Sequence, residues 1–133
     1  TIHTDRRTIT AEDFFTGMFD TALDEGELIT AIAFPKPAAC AYQKFPNPAS
    51  RYALVGVMVA KTGGGVRVAV TGAGENGVFR AAEIEAALGA NFSADAAAGA
   101  AVSADGLNSD LHASAEYRAH LVGVMASRAV AAC

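Results

Sequence analysis

The stretch Tyr52-Ala53-Leu54-Val55-Gly56-Val57-Met58-Val59-Ala60-Lys61 is followed by Thr62-Gly63-Gly64-Gly65 and then by Val66-Arg67-Val68-Ala69-Val70-Thr71. A long apolar run, a permissive glycine turn and a second, alternating run predict a β-hairpin. Just upstream, residues 38–45 alternate well enough to form another strand. Pro46-Asn47-Pro48-Ala49-Ser50-Arg51 must then be a loop, because its prolines supply no ladder donors. Further back, Leu28, Ile29, Ile32 and Phe34 lie in a short run that Pro35 ends, which predicts a strand over residues 27–34. Asp24-Glu25-Gly26 is the turn before it. Thr10 with Asp13 makes a capping-box-like start, and Phe14, Phe15, Met18 and Phe19 fall at i, i+3, i+4 spacing, so a short helix is expected there.

Downstream of the hairpin the pattern becomes helical. Ile84 and Leu88 stand four apart in a helix expected over residues 80–88, with Gly89 as its C′ residue. Ser93 and Asp95 open a short alanine-rich helix, which Gly99 weakens by about 1 kcal/mol relative to alanine. Residues 105–110 read as loop, and Ser114 caps a last helix to about Ala131. Strands gather first and helices last, which places the chain in the α+β class.

The chain has 133 residues, close to one domain at roughly 100–200 residues each, so one core is expected. Apolar residues make up 52% and charged residues 18%, a globular balance. Ten basic residues against fourteen acidic ones give a net charge of −4, with no basic stripe. That argues against nucleic acid or an anionic membrane surface as partner, since both demand clustered Lys and Arg. No apolar run reaches twenty residues and no signal-peptide pattern is present, so a cytoplasmic location is the expectation. Cys40 and Cys133 lack any metal-ligand spacing. The chain starts at Thr1 and enters a structured pattern almost at once, which suggests a piece of a longer polypeptide.

Several motifs invite chemistry. Gly72-Ala73-Gly74-Glu75-Asn76-Gly77 matches GxGxxG after a predicted strand. A dinucleotide turn needs its helix to open inside the motif, whereas here the helix begins only near Arg80, so the match is read as a strand-exit loop. His112, Glu116 and His120 stand at i, i+4 intervals but lack a third ligand and suit surface pairing. Ser109-Asp110-Leu111-His112 holds triad residue types without a nucleophile elbow. Tyr117 and Arg118 could face a partner, although such a tyrosine more often packs and such an arginine is more often solvated. Around the proline loop, Tyr42, Lys44, Arg51 and Tyr52 supply two cations and two rings. These suit an electron-rich planar or phosphorylated ligand, or simply a solvated hairpin end.

The order of the signals resembles the C-terminal domain of the FAD-binding medium subunit of molybdenum hydroxylases, the aerobic carbon monoxide dehydrogenase and xanthine dehydrogenase family. The residues that carry it are Asp13-Phe14-Phe15-Thr16-Gly17, Leu28-Ile29-Thr30, Tyr42-Gln43-Lys44-Phe45, Ala49-Ser50-Arg51, Val68-Ala69-Val70-Thr71-Gly72-Ala73, Phe79-Arg80-Ala81 and Ser114-Ala115-Glu116-Tyr117-Arg118. The resemblance implies an antiparallel sheet of three to four strands with about three helices on one face. It also implies that residues 1–133 are a single domain following two N-terminal FAD-binding domains. In such enzymes electrons pass from a molybdenum subunit through an iron–sulfur subunit to FAD, and this domain supplies no substrate chemistry of its own. Lys44, Arg51 and Tyr42 are the positions the resemblance assigns near the flavin, with FAD held by the complete subunit and not tightly by this portion. The paired charges common after this loop in xanthine-dehydrogenase-like relatives are replaced here by Tyr52-Ala53-Leu54. A non-catalytic docking domain is the alternative.

Overall fold

The computed structural model describes residues 1–133, and the chain divides into two units, Thr1–Lys36 and Pro37–Cys133. Two hydrophobic clusters stand where the length predicts one core. In the first unit, β1 (Ile2–Thr4) pairs antiparallel with both β2 (Thr8–Ile9) and β5 (Ile29–Ile32). Between them lie α1 (Ala11–Phe14), β3 (Phe15–Gly17) and β4 (Asp20–Thr21), the last two paired with each other. Ile2, Ile9 and Phe14 form the cluster.

Thr10 caps α1 as its sequence indicates, accepting from the Asp13 amide at 3.2 Å and donating to the Asp13 carboxylate at 2.8 Å. The expected helix through Phe19 is nevertheless a single turn. Phe15 leaves it to pair with Thr21, and Phe19 takes a left-handed φ of 58°. Aromatic and β-branched side chains favour the extended backbone, and only Phe14 of the apolar group is buried.

Glu27 ties the first unit together. Its buried carboxylate accepts from Arg7 Nε at 3.0 Å and Nη2 at 2.8 Å, from the Thr4 hydroxyl at 2.7 Å and from the Asp24 amide at 2.8 Å. The Arg7 hydrogen bond, then the Asp24 amide and the Thr4 hydroxyl, hold its pKa down to about 2, from an ordinary value of 4.5. A depressed carboxyl stabilises the fold above its unfolded pKa and ceases to do so as pH falls through the folded one. Amide protection in residues 1–36, taken relative to the intrinsic exchange rate at each pH, should therefore fall between about pH 4.5 and 2. Glu27→Gln should remove that pH dependence while raising exchange at neutral pH. A flat profile in the unmodified chain would contradict the assignment.

The second unit is a four-stranded antiparallel sheet in the order β6 (Ala39–Pro46), β7 (Ala53–Thr62), β8 (Gly65–Gly74), β9 (Gly77–Arg80). The helices are α2 (Ala82–Ala90), α3 (Ala94–Gly99) and α4 (Ala115–Ala131). The register sets Phe45 against Val55, Val57 against Val70 and Val59 against Val68. Opposed residues share a face, and on this face the valines pack with Ile84, Leu88, Leu121, Val122 and Met125. Ser93 and Ser114 cap α3 and α4 as read from the sequence. This is the α+β arrangement with helices over one face of the sheet.

Two local expectations change. Gly89 lies inside α2, which ends at Ala90 with Asn91 as its C-cap. Gly72–Gly77 is not a loose strand exit: β8 runs on to Gly74, turns at Glu75 and Asn76, and returns as β9. Gly77, at φ 98°, makes that tight turn possible.

Candidate functional site

Alternation along β6 sends Ala41 and Phe45 to the helices and Cys40, Tyr42 and Lys44 to the opposite face. The rows on that open face are Lys44, Gly56 and Thr71, then Tyr42, Met58 and Ala69, then Cys40, Ala60 and Arg67. Small residues dominate its centre. A Cβ at Gly56 would overlap the Tyr42 hydroxyl and crowd Thr71 Oγ1, so the tyrosine lies across the neighbouring strand where glycine leaves room.

The β6–β7 loop is closed by its own hydrogen bonds. Asn47 is buried; its amide donates to the Tyr52 carbonyl at 2.7 Å, and its carbonyl accepts from the Arg51 amide at 2.9 Å. Its side-chain oxygen accepts from the Ala49 and Ser50 amides at 2.9 and 3.2 Å, an Asx turn. Closure puts Arg51 at φ 65°, a left-handed conformation rarely adopted by non-glycine residues. Lys44 Nζ donates to the Arg51 carbonyl at 3.1 Å. The structure thus brings Lys44 and Arg51 together at one end of the sheet, with Tyr42 two residues along the same face. All three side chains are exposed, as is Tyr52.

Arg118 is the residue that sequence reasoning placed wrongly. It is not solvated but 3% exposed. Its Nη1 donates to the Leu54 carbonyl at 2.7 Å and the Gly72 carbonyl at 3.2 Å, and its Nη2 to Asp110 at 2.8 Å. Asp110 is fixed in turn by the amides of His112 and Ala113, which with Arg118 hold its carboxyl below the usual range. A signal was available: Arg118 shares the apolar stripe of α4 with Leu121, Val122 and Met125, at i+3, i+4 and i+7. Tyr117 packs edge-on against Phe45.

The remaining candidates separate. His112 precedes α4, so it forms no helical pair with Glu116, and no group of three ligand side chains is assembled. In the GxGxxG segment the Glu75 amide donates to Gly106, the Ala73 and Gly74 carbonyls accept from Asn108, and α2 opens only at Ala82. Those backbone groups serve the fold, and the helix opens outside the motif. Glu85, partly buried, is held down chiefly by Arg80 and the Val68 amide against the cost of burial. A groove of about 600 Å³ is lined by alanines at the end of α3 and after it, and by Glu116, His120, Ser127 and Arg128 of α4; it contains none of Tyr42, Lys44 and Arg51. No helix is long and apolar enough to cross a membrane.

Residues 40–133 match the family model described as the CO dehydrogenase flavoprotein C-terminal domain. The chain is 32% identical over 136 residues to a carbon monoxide dehydrogenase medium chain of Hydrogenophaga pseudoflava, covering 94% of this chain and 47% of that protein. It is 35% identical over 135 residues to a nicotine 6-hydroxylase medium subunit of Paenarthrobacter nicotinovorans, with 94% and 47% covered. A carbon monoxide dehydrogenase medium chain of Afipia carboxidovorans is 29% identical over 135 residues, with 93% and 47% covered. The chain spans about half the length of these relatives. No solved structure matches it at comparable significance.

Proposed function

The chain belongs to the CO dehydrogenase flavoprotein C-terminal domain family, and on that premise we propose that it is the C-terminal part of an FAD-binding subunit of a molybdenum hydroxylase-type oxidoreductase. In this reading the open sheet face and the Asn47–Tyr52 loop help shape the flavin site. One observation supports it: the Lys44 ammonium donates to the backbone carbonyl of Arg51 on a loop closed by Asn47, and Tyr42 lies two residues from Lys44 on the same sheet face. A planar ring and a diphosphate are what an aromatic face and paired cations recognise. FAD, when bound, would accept electrons arriving from the iron–sulfur and molybdenum subunits and pass them on. The chain's own residues would position it and bias its electronics through charge. Tyr42 offers a ring face, Lys44 and Arg51 offer charge, and Asn47 keeps the loop from rearranging.

The fit is partial. In the one glycine motif the Glu75 amide is taken by the Gly106 carbonyl and the helix opens outside the motif, which argues against a diphosphate turn there. FAD titrated into this chain and followed by flavin fluorescence should not saturate in the micromolar range. Adding the N-terminal portion of the subunit should give binding tighter than either part alone. Micromolar binding by this chain alone, or full affinity from the N-terminal portion alone, would overturn the proposal.

The docking alternative has its own support. Phe15, Met18, Phe19, Leu28, Ile29, Ile32 and Phe34 are all exposed in the first unit, and exposed apolar surface marks partner sites. Association of the two portions with no change in FAD affinity would favour that reading.

A further inference from the structure

Arg118 sits where the β7–β8 ladder stops. The last paired residues are Gly56 and Thr71, and beyond them the chains are held by the guanidinium, which bridges the Leu54 and Gly72 carbonyls. Leu54 lies three residues from Arg51. On its other side the base of the loop is tied to β6, at the Pro46–Ala53 pair, through an irregular register. The loop therefore hangs from β6 and from Arg118.

Stability alone does not explain an arginine here. Its Nε is buried with no partner, and an apolar side chain of similar volume commonly replaces a buried ion pair without loss. What the guanidinium offers is geometry: a rigid planar fork reaching two carbonyls from one nitrogen and a carboxylate from the other, where an ammonium has a single nitrogen and an alkyl chain no donor. Asp110, locked by two amides, fixes the fork from behind.

We propose that Arg118 is a positioning residue for the flavin site: through Leu54 and Gly72 it fixes the base of the Asn47–Tyr52 loop, and so the place at which Arg51 and Lys44 meet an anionic dinucleotide. The inference rests on the flavin reading above for its ligand, but not for its anchor. Its test is made in the complete subunit with Arg118→Met and the milder Arg118→Lys, should the first fail to fold. Hydrogen exchange is read residue by residue, alongside FAD affinity and the visible flavin spectrum. Losing the charge-assisted hydrogen bonds to the Leu54 and Gly72 carbonyls should lower protection about tenfold at residues 47–56 and 71–73, sparing α2 and the rest of β8, and weaken FAD about tenfold. The lysine variant should recover part of both. Unchanged loop protection, or an even loss across the whole sheet, would overturn the proposal. A loosened loop with unaltered FAD affinity would overturn the flavin reading and leave the anchor standing.

Discussion

Gly72→Ala is expected to destabilise the Pro37–Cys133 unit by about 3 kcal/mol, combining left-handed strain with a steric clash. Gly72 sits at φ 77°, which costs any residue with a Cβ about 1–2 kcal/mol. The added carbon would also overlap the Ala53 carbonyl oxygen and press on that of Leu54. These are backbone atoms at the start of β7, and the Leu54 carbonyl is already engaged by Arg118. Neither side can yield without releasing that bridge. For a unit of this size the midpoint of thermal unfolding should fall by about 10–20 °C. Gly63→Ala is the control, because a Cβ there meets nothing and the backbone is not left-handed. A Gly72→Ala protein that melts with the Gly63→Ala protein would show that the close approach between β7 and β8 is wrong.

Much of the larger unit is legible in the sequence because its signals are local. Valine alternation fixes which face of β7 and β8 meets the helices. The prolines and Asn47 fix the loop, and Ser93 and Ser114 fix two helix starts. Alternation also predicts that Tyr42 and Lys44 share a face.

The features that misled are those set by distant partners. Arg118 bonds to carbonyls 64 and 46 residues away, and composition treats any arginine as solvated. Only its place in the apolar stripe of α4 betrays it. The β8–β9 turn looked like a loop because glycines weaken strand patterns; pairing with β8 and the bridge from Gly74 to Leu107 supply what propensity lacks. The helix expected through Phe19 failed because one capped turn cannot propagate without tertiary support. The left-handed φ of Arg51 has no signature of its own; it follows from closing the loop on Asn47.

The role of the charged loop is tested by removing its two charges while keeping the Asn47 hydrogen bonds that close it. Arg51→Asn keeps a residue that tolerates left-handed backbone, and Lys44→Met keeps the stem while deleting the ammonium. In the complete subunit the double variant should bind FAD about tenfold more weakly, the order expected for lost charge-assisted contacts. Reduction adds negative charge to the flavin, and nearby cations favour the reduced form. Their loss should therefore lower the midpoint potential by about 30 mV, a tenfold shift for a two-electron couple. Both readouts come from one redox titration of the flavin-loaded protein, compared with the parent subunit. A weaker and more negative flavin couple is the predicted result; parent values for both affinity and potential would contradict the claim that this sheet end borders the flavin.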